Sequence, residues 1–171
     1  VGLAGLLLQD VVATTLRGPL VIAAASIGFG LLLWWSDRGG GGDRDEDGLT
    51  WRDALVIGLF QAVALIPGTS RSGITMTAGL LLRLERAAAA RFSFLLSIPV
   101  IVLSGLLQVF DLLAAGGDVA WGTLLAGTAL SAVAAWTCIH LFLQFIERLG
   151  MTPFVVYRVA LGFLLIGLFA F

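Results

Sequence analysis

The pattern of apolar and polar residues is interrupted at 67–75, in the middle of an apolar stretch. Apolar residues precede this interruption over 54–66 and resume after it for only a few positions, and neither flank reaches the roughly 20 residues that a straight membrane-spanning helix needs. Pro67 and Gly68 should end the first flank, because proline has no N–H to donate and disfavours helix at the residue before it. We therefore predict two half-helices, 54–66 and 71–83, that meet at a polar break.

Longer apolar runs on either side of this pair are typical of membrane-spanning helices. The predicted spans are the end of one helix at 1–8 and four helices at 20–35, 92–110, 121–146 and 154–171. Together with the half-helices they predict an all-α integral membrane fold with about four to five transmembrane helices and one re-entrant half-helix pair. We take 1–171 as a single membrane domain, in which the glycine-rich, acidic residues 36–50 form a flexible loop.

Composition supports membrane insertion and excludes other classes. The chain is 59% hydrophobic and only 12% charged, whereas a soluble domain has about 25% charged residues. The net charge of −1 offers no basic surface for nucleic acid. The single cysteine, Cys138, excludes an internal disulfide and any cysteine-based metal cluster, and we predict no metal ligand within this chain.

Arginine supplies all ten basic residues, and its distribution predicts the orientation. The arginines expected on one side of the membrane are Arg38, Arg44, Arg52, Arg83, Arg86, Arg91 and Arg148. The positive-inside rule makes that side cytoplasmic, so the half-helix pair enters from and returns to the cytoplasmic face. Arg158, in the first turns of the last span, is expected to extend to the membrane surface.

The polar break concentrates hydrogen-bond donors at membrane depth. The start of a helix presents free N–H groups and partial positive charge, and glycines let a ligand approach the backbone closely. Arg71 adds a planar guanidinium that matches phosphate oxygens in pairs, and hydroxyls come from Ser70, Ser72 and Thr75. Phosphate or diphosphate is the expected ligand, with a carboxylate as the second choice.

A simpler interpretation of the same residues stays open. The stretch would be a kinked helix whose serines satisfy freed carbonyls and whose Arg71 pairs with a carboxylate elsewhere. That interpretation leaves the density of donors unexplained, because an arginine at membrane depth costs about 2.5–3.5 kcal/mol and usually marks a functional site.

Three segments resemble one family. They are FQAVALIPGTSRSGIT at 60–75, RFSFLLSIP at 91–99 and PFVVYR at 153–158. The chain resembles the undecaprenyl-diphosphate phosphatases, also called bacitracin-resistance proteins, over essentially its whole length. The resemblance implies an enzyme of the bacterial inner membrane that hydrolyses undecaprenyl diphosphate to undecaprenyl phosphate, a carrier of cell-wall precursors, and inorganic phosphate. It also implies two inverted repeats, each with a re-entrant pair, and a site between them that opens to the periplasm.

The resemblance also implies a division of the active site. The family's first signature, with its glutamates, serine and histidine, should lie upstream of Val1, so we expect an N-terminally truncated fragment with half of the site. A divalent cation, Mg²⁺ or Ca²⁺, would be bound mainly by residues outside this chain. The positions expected to be catalytic are Arg71, Ser70, Ser72 and Thr75. Those expected to bind substrate are Gly68, Thr69, Gly73 and Gln61.

Other functions and assemblies stay open at this point. Broken helices also build anion sites in transporters made of inverted repeats, so a transporter or flippase for a polyprenyl phosphate or another anion is the alternative function. A structural membrane subunit would leave Arg71 unexplained. The expected partners are a polyprenyl diphosphate lipid and the bilayer, and a second copy of the chain, in a homodimer, stays open.

Overall fold

The computed structural model describes residues 16–39, 42–116 and 119–169, so the predicted run at 1–8 lies outside it. Regular structure in the described residues is helical, apart from one isolated bridge between Arg44 and Leu84. The helices are α1 (Pro19–Asp37), α2 (Trp51–Val63), α3 (Arg71–Leu81), α4 (Arg86–Ala114), α5 (Trp121–Leu149) and α6 (Thr152–Phe169). The all-α prediction is confirmed.

Four helices are long and apolar enough to cross a membrane, and these are α1, α4, α5 and α6. They correspond to the four complete spans that the sequence predicts. Helix α4 begins at Arg86 rather than at Phe92, because the four buried alanines that follow Arg86 are strong helix formers and continue the span. Pro99 lies inside α4, and the helix continues beyond it to Ala114.

The break between α2 and α3 is present, with each boundary set by local hydrogen bonds. Helix α2 begins before residue 54 because Thr50 and Asp53 form a capping box, in which each side chain accepts from the other's backbone N–H. Its regular turns end at Val63, after which the N–H of Ala64 bonds the carbonyl of Gln61 three residues back. The chain then turns until Ser70.

Helix α3 ends at Leu81 in a Schellman motif. The N–H of Leu84 bonds the carbonyl of Gly79, and the N–H of Arg83 bonds the carbonyl of Leu80. Arg83 occupies the left-handed position of this motif, with φ 66°. The second half-helix is therefore two residues shorter than predicted.

Helix α3 lies at the centre of the packing. It contacts α1, α2 and α4, and α1 packs extensively against α6. Every residue from Ile74 to Leu80 is buried. By contrast, α5 contacts the other helices mainly near its C-terminal end, and much of its length exposes large apolar side chains, as for Leu130 and Trp136.

Polar contacts join the helix ends on the side where α1 and α3 finish. The Asp37 carboxylate accepts from Arg86 Nε at 2.6 Å and from the Met151 N–H at 3.0 Å. In the loop before α2, Arg44 donates to the carbonyl of Leu82 at 3.0 Å and to Asp53 at 2.6 Å. These contacts connect the start of α4, the α5–α6 turn and the loop at 42–50 to the same end of the bundle.

Candidate functional site

The N-terminus of α3 starts from an unusual backbone conformation. Ser70 is the N-cap residue, and its φ of 66° and ψ of 116° are rare for any residue other than glycine. Such strain costs on the order of 1–3 kcal/mol and is found where function needs it. The Ser70 hydroxyl accepts from the Gly73 N–H at 3.3 Å, which leaves the N–H groups of Arg71 and Ser72 without an intrahelical acceptor.

Gly68 fixes the break against two spanning helices. Its φ is +93°, and a Cβ at this position would lie 2.4 Å from the carbonyl oxygen of Ile22 in α1. Only glycine fits so close to another backbone. The Gly68 carbonyl accepts from Ser26 Oγ of α1 at 3.2 Å and from Arg158 Nη2 of α6. A carbonyl freed by the break is thus satisfied by side chains from both neighbours.

A cavity of about 600 Å³ lies beside this helix start. Its polar wall consists of Ser26, Gly68, Ser70, Ser72, Gly73, Tyr157 and Arg158. Its apolar wall consists of Ile22, Leu33, Met76, Phe94, Cys138, Ile139, Phe142, Met151, Phe154 and Leu161. The cavity therefore combines a small group of donors with a larger apolar surface, the combination typical of sites for amphipathic ligands.

Arg158 contributes the guanidinium of this cavity. The expectation that it extends to the membrane surface is wrong, because its side chain turns inward to the Gly68 carbonyl. A Cβ on Gly73 would lie 2.7 Å from Arg158 Nη1, so the guanidinium rests directly on the first turn of α3. In the sequence, the signal for Arg158 was a charged residue within an apolar run. That signal does not reveal that its partner is the Gly68 carbonyl, 90 positions away.

Arg71 is placed differently from Arg158. Its side chain does not line the cavity, and its Nη1 atom is buried without a hydrogen-bond partner among the described residues. The ion pairs found in this part of the chain join Arg44 to Asp53, Arg86 to Asp37 and Arg91 to Glu46. The carboxylate partner that the kinked-helix interpretation requires is therefore not found within the described residues.

Thr75 lies behind the helix start rather than in the cavity. Its hydroxyl bonds the carbonyls of Arg71 and Ser72 at 3.0 and 3.1 Å and the hydroxyl of Ser93 in α4 at 2.6 Å. Ser93 also donates to the Ser72 carbonyl at 3.4 Å. The pair thus joins the first turn of α3 to α4, a contact that the sequence did not indicate.

The structure divides the eight predicted site residues into two groups. The cavity collects Gly68, Ser70, Ser72 and Gly73. The positions that do not line it are Gln61, Thr69, Arg71 and Thr75. In this second group Gln61 is buried in α2, and the fully buried Thr69 has a hydroxyl oxygen without a partner among the described residues.

A divalent cation is not matched by the residues around the break. Within 16–39, 42–116 and 119–169, no group of three or more His, Cys, Asp or Glu side chains is positioned to hold a metal ion. The cavity wall supplies hydroxyls, carbonyls and a guanidinium, whereas Mg²⁺ and Ca²⁺ prefer carboxylate oxygens. These residues do not fit the expected cation by themselves, and its binding stays a prediction about residues outside this chain.

Comparison with known proteins gives consistent matches. A family described as "Bacitracin resistance protein BacA" matches residues 1–164. The chain is 57% identical over 172 residues to "Undecaprenyl-diphosphatase 2" of Stutzerimonas stutzeri (strain A1501), an alignment that covers 99% of the chain and 64% of that protein. It is 57% identical over 162 residues to "Undecaprenyl-diphosphatase" of Chromohalobacter salexigens, covering 95% of the chain and 61% of the relative.

A third relative, "Undecaprenyl-diphosphatase" of Nitrosococcus oceani, is 55% identical over 170 residues, with 99% of the chain and 64% of the relative covered. The chain thus spans somewhat less than two thirds of the length of the relatives that it matches. The family match extends over nearly all of its residues, including the break and the α6 arginine. The chain belongs to the bacitracin resistance protein BacA family.

Proposed function

We propose that this chain carries the phosphate-binding part of an undecaprenyl-diphosphate phosphatase, which hydrolyses undecaprenyl diphosphate to undecaprenyl phosphate and inorganic phosphate. One observation carries the proposal: Ser70, Ser72, Gly73 and Arg158 meet in one cavity at the N-terminus of α3. The names of the relatives and their identity of 55–57% support the same reaction.

The helix start provides the donors for a diphosphate. The unpaired N–H groups of its first turn and the partial positive charge of the helix favour an anion. The Ser70 and Ser72 hydroxyls and the Arg158 guanidinium reach the same cavity. Donors fixed in advance stabilise the charge that develops on the transferred phosphoryl oxygens without reorganising.

Arg71 supplies a second positive charge at the break. Leaving a buried polar group without a partner costs about 1–3 kcal/mol, and more for a charged group. The Nη1 atom of Arg71, which has no partner among the described residues, carries this cost in the free protein, and a bound phosphate oxygen would remove it. The Arg71 side chain lies outside the cavity wall in the free protein, so we assign it to phosphate binding through a turn of its guanidinium toward the helix start. We assign Thr75 to positioning, since its hydroxyl is engaged by backbone carbonyls and Ser93.

The apolar wall of the cavity suits the lipid end of the same substrate. Phe94, Phe142 and Phe154 pack against one another with ring centroids 5.6 and 4.7 Å apart and face the cavity together with Leu161. These side chains would contact the first isoprenoid units while the diphosphate reaches the helix start. In this proposal the α2–α3 pair is re-entrant, forms half of an inverted repeat in the bacterial inner membrane, and presents its site to the periplasmic side.

The nucleophile and the general base are not assigned to this chain. Among the described residues that line the cavity there is no carboxylate and no histidine to activate a serine or a water molecule. Ser70 and Ser72 therefore act as hydrogen-bond donors in this proposal, and the attacking group comes from elsewhere in the full-length protein.

The test is phosphate release from undecaprenyl diphosphate by purified full-length protein in detergent. We expect Arg71→Ala to lower the rate at least a hundredfold, because a charge-assisted contact to the phosphoryl group is lost. Arg71→Lys should restore only part of the rate, since a point charge does not replace the bidentate fork. The matched control is Arg52→Ala, which removes an exposed arginine from the start of α2.

Two outcomes would overturn the proposal. Turnover at the rate of the unmodified protein by both Arg71→Ala and Arg158→Ala would leave no guanidinium at the helix start with a role in the reaction. Tight binding of undecaprenyl diphosphate with no phosphate release would instead favour a carrier. Hydrolysis needs no membrane gradient and should proceed in detergent, whereas a carrier would bind the lipid there without changing it.

A further inference from the structure

A second hollow lies where α1 and α3 end, roughly 15 Å along α3 from the break. It has a volume of about 430 Å³. Two arginines line it, Arg38 just after α1 and Arg83 just after α3, together with Trp35 and Leu81. None of these residues lines the cavity at the N-terminus of α3.

The fold positions both guanidiniums, and neither forms an ion pair within the described residues. The Arg38 guanidinium lies over the ring of Trp34, 3.7 Å from the ring centroid. The Arg83 side chain extends toward Gly39: a Cβ added to Gly39 would lie 4.0 Å from Arg83 Nη1. In the part of the chain that the structure describes, the ion pairs are formed by other arginines: Arg44, Arg86 and Arg91.

The backbone at Arg83 shows that a side chain is kept at this helix end at the cost of strain. The left-handed position of a Schellman motif is usually glycine, and a residue with a Cβ pays on the order of 1 kcal/mol to occupy it. Arg83 occupies this position with φ 66°, so the motif retains a guanidinium at the cost of backbone strain. A cation also complements the partial negative charge of the helix end, so it is the position of this guanidinium in one hollow with Arg38 that points to a ligand.

The surroundings of the hollow favour an anion that also carries an acyl chain. Helix C-termini carry partial negative charge, and the exposed Asp43, Asp45 and Asp47 belong to the loop that follows α1, so a free anion gains little there. The rim is apolar: Trp35 is 62% exposed and Leu81 is 40% exposed. At the end of a spanning helix, such side chains contact acyl chains while nearby arginines contact phosphates.

We propose that Arg38 and Arg83 form a binding site for the phosphate of an anionic phospholipid headgroup. The two guanidiniums hold the phosphodiester oxygens, and the lipid chains lie along Trp35 and Leu81. Given the orientation predicted from the arginine distribution, this lipid belongs to the cytoplasmic leaflet, on the opposite side from the proposed substrate entrance.

Lipid retention by the purified full-length protein tests the site. Native mass spectrometry with added phosphatidylglycerol and, separately, phosphatidylcholine measures binding to each headgroup. We expect phosphatidylglycerol to bind more tightly than phosphatidylcholine. The affinity for phosphatidylglycerol should fall about fivefold for Arg38→Gln or Arg83→Gln and about twenty-five-fold for the double variant, since each arginine near the surface contributes a similar increment. The matched control is Arg52→Gln with Arg148→Gln, which removes two exposed arginines outside the hollow.

A thermal melt in detergent accompanies each variant, so that loss of lipid is scored only for folded protein. The proposal is overturned if the control double variant loses phosphatidylglycerol as strongly as the Arg38 and Arg83 double variant. Equal retention of phosphatidylcholine would also overturn it. Displacement of the lipid by millimolar inorganic phosphate would identify a site for a soluble anion instead.

Discussion

The carboxylate of Asp37 should be one of the most important polar groups for the stability of the bundle. It is buried at the end of α1 and accepts from Arg86 Nε at 2.6 Å and from the Met151 N–H at 3.0 Å. Asp37→Ala leaves the buried Met151 N–H unsatisfied, at about 1–3 kcal/mol. It also removes the counter-charge of Arg86, for which breaking a buried pair costs about 3–5 kcal/mol.

These two costs overlap, and the Arg86 side chain is 29% exposed while that of Asp37 is 7% exposed. Water therefore compensates part of the lost pair, and we expect a net loss of about 3 kcal/mol. At 2–4 °C per kcal/mol for a chain of this size, the melting temperature should fall by about 6–12 °C.

The assay is thermal unfolding in detergent, followed by far-ultraviolet circular dichroism at 222 nm. Asp43→Ala, which removes an exposed carboxylate from the loop after α1, is the control and should melt like the unmodified protein. Asp37→Ala combined with Arg86→Met should recover part of the loss, because the unpaired guanidinium is gone. If Asp37→Ala melts within 2 °C of the unmodified protein, the carboxylate does not join these helices as argued.

Three further changes test other parts of the structure. Gly68→Ala should abolish phosphate release and destabilise the protein, because the added methyl would lie 2.4 Å from a backbone carbonyl oxygen. Gly58→Ala is the control and should be tolerated in the same assays, because its methyl would have no atom within 4 Å. Ser93→Ala removes a hydrogen bond worth about 1 kcal/mol from the first turn of α3. We expect kcat to fall about fivefold and the melting temperature to fall by no more than about 2–4 °C. The hydrogen bond from Arg44 lowers the pKa of Asp53 from 3.8 to about 2. The Asp53 carboxylate should therefore stabilise the fold above about pH 4 and lose that contribution between pH 4 and 2. This is contradicted if, in acid melts, the stability of Asp53→Asn depends on pH as strongly as that of the unmodified protein.

Local chemistry made several elements predictable from the sequence. Pro67 and Gly68 indicated the break, because chain reversal depends on residues only a few positions apart. The capping box of Thr50 and Asp53 is equally local, and it makes α2 begin at Trp51 rather than at the predicted residue 54. Long apolar runs indicated the four candidate spans, because spanning length and hydropathy are properties of one continuous segment. The start of α3 at Arg71 was predicted correctly, but its end lies two residues before the predicted one. A left-handed Arg83 ends the helix where glycine would have been the usual signal.

The contacts that organise the site were not predictable in the same way. Arg158 and Gly68 are 90 positions apart, and Asp37 and Met151 are 114 apart, so no local pattern relates them. Hydroxyl roles were ambiguous for a similar reason: Ser72 and Thr75 are three positions apart, yet only Ser72 reaches the cavity. Their positions around α3 direct the two side chains to different sides of the helix: Thr75 bonds Ser93 of α4, and Ser72 lines the cavity.

In the proposed re-entrant arrangement the helix is interrupted at membrane depth, where the freed backbone groups require partners. The described residues meet that requirement only in part. The Gly68 carbonyl is satisfied twice, and the Thr69 N–H bonds the Ile66 carbonyl at 3.2 Å. The costs that remain at the same turn include the strained backbone of Ser70 and a nitrogen of Arg71 that is buried without a partner among the described residues. A break that served only to bend the chain would have no reason to keep either cost. Both are explained if the turn is completed by an anion, because a phosphate accepts from the exposed first-turn N–H groups and from the guanidinium together.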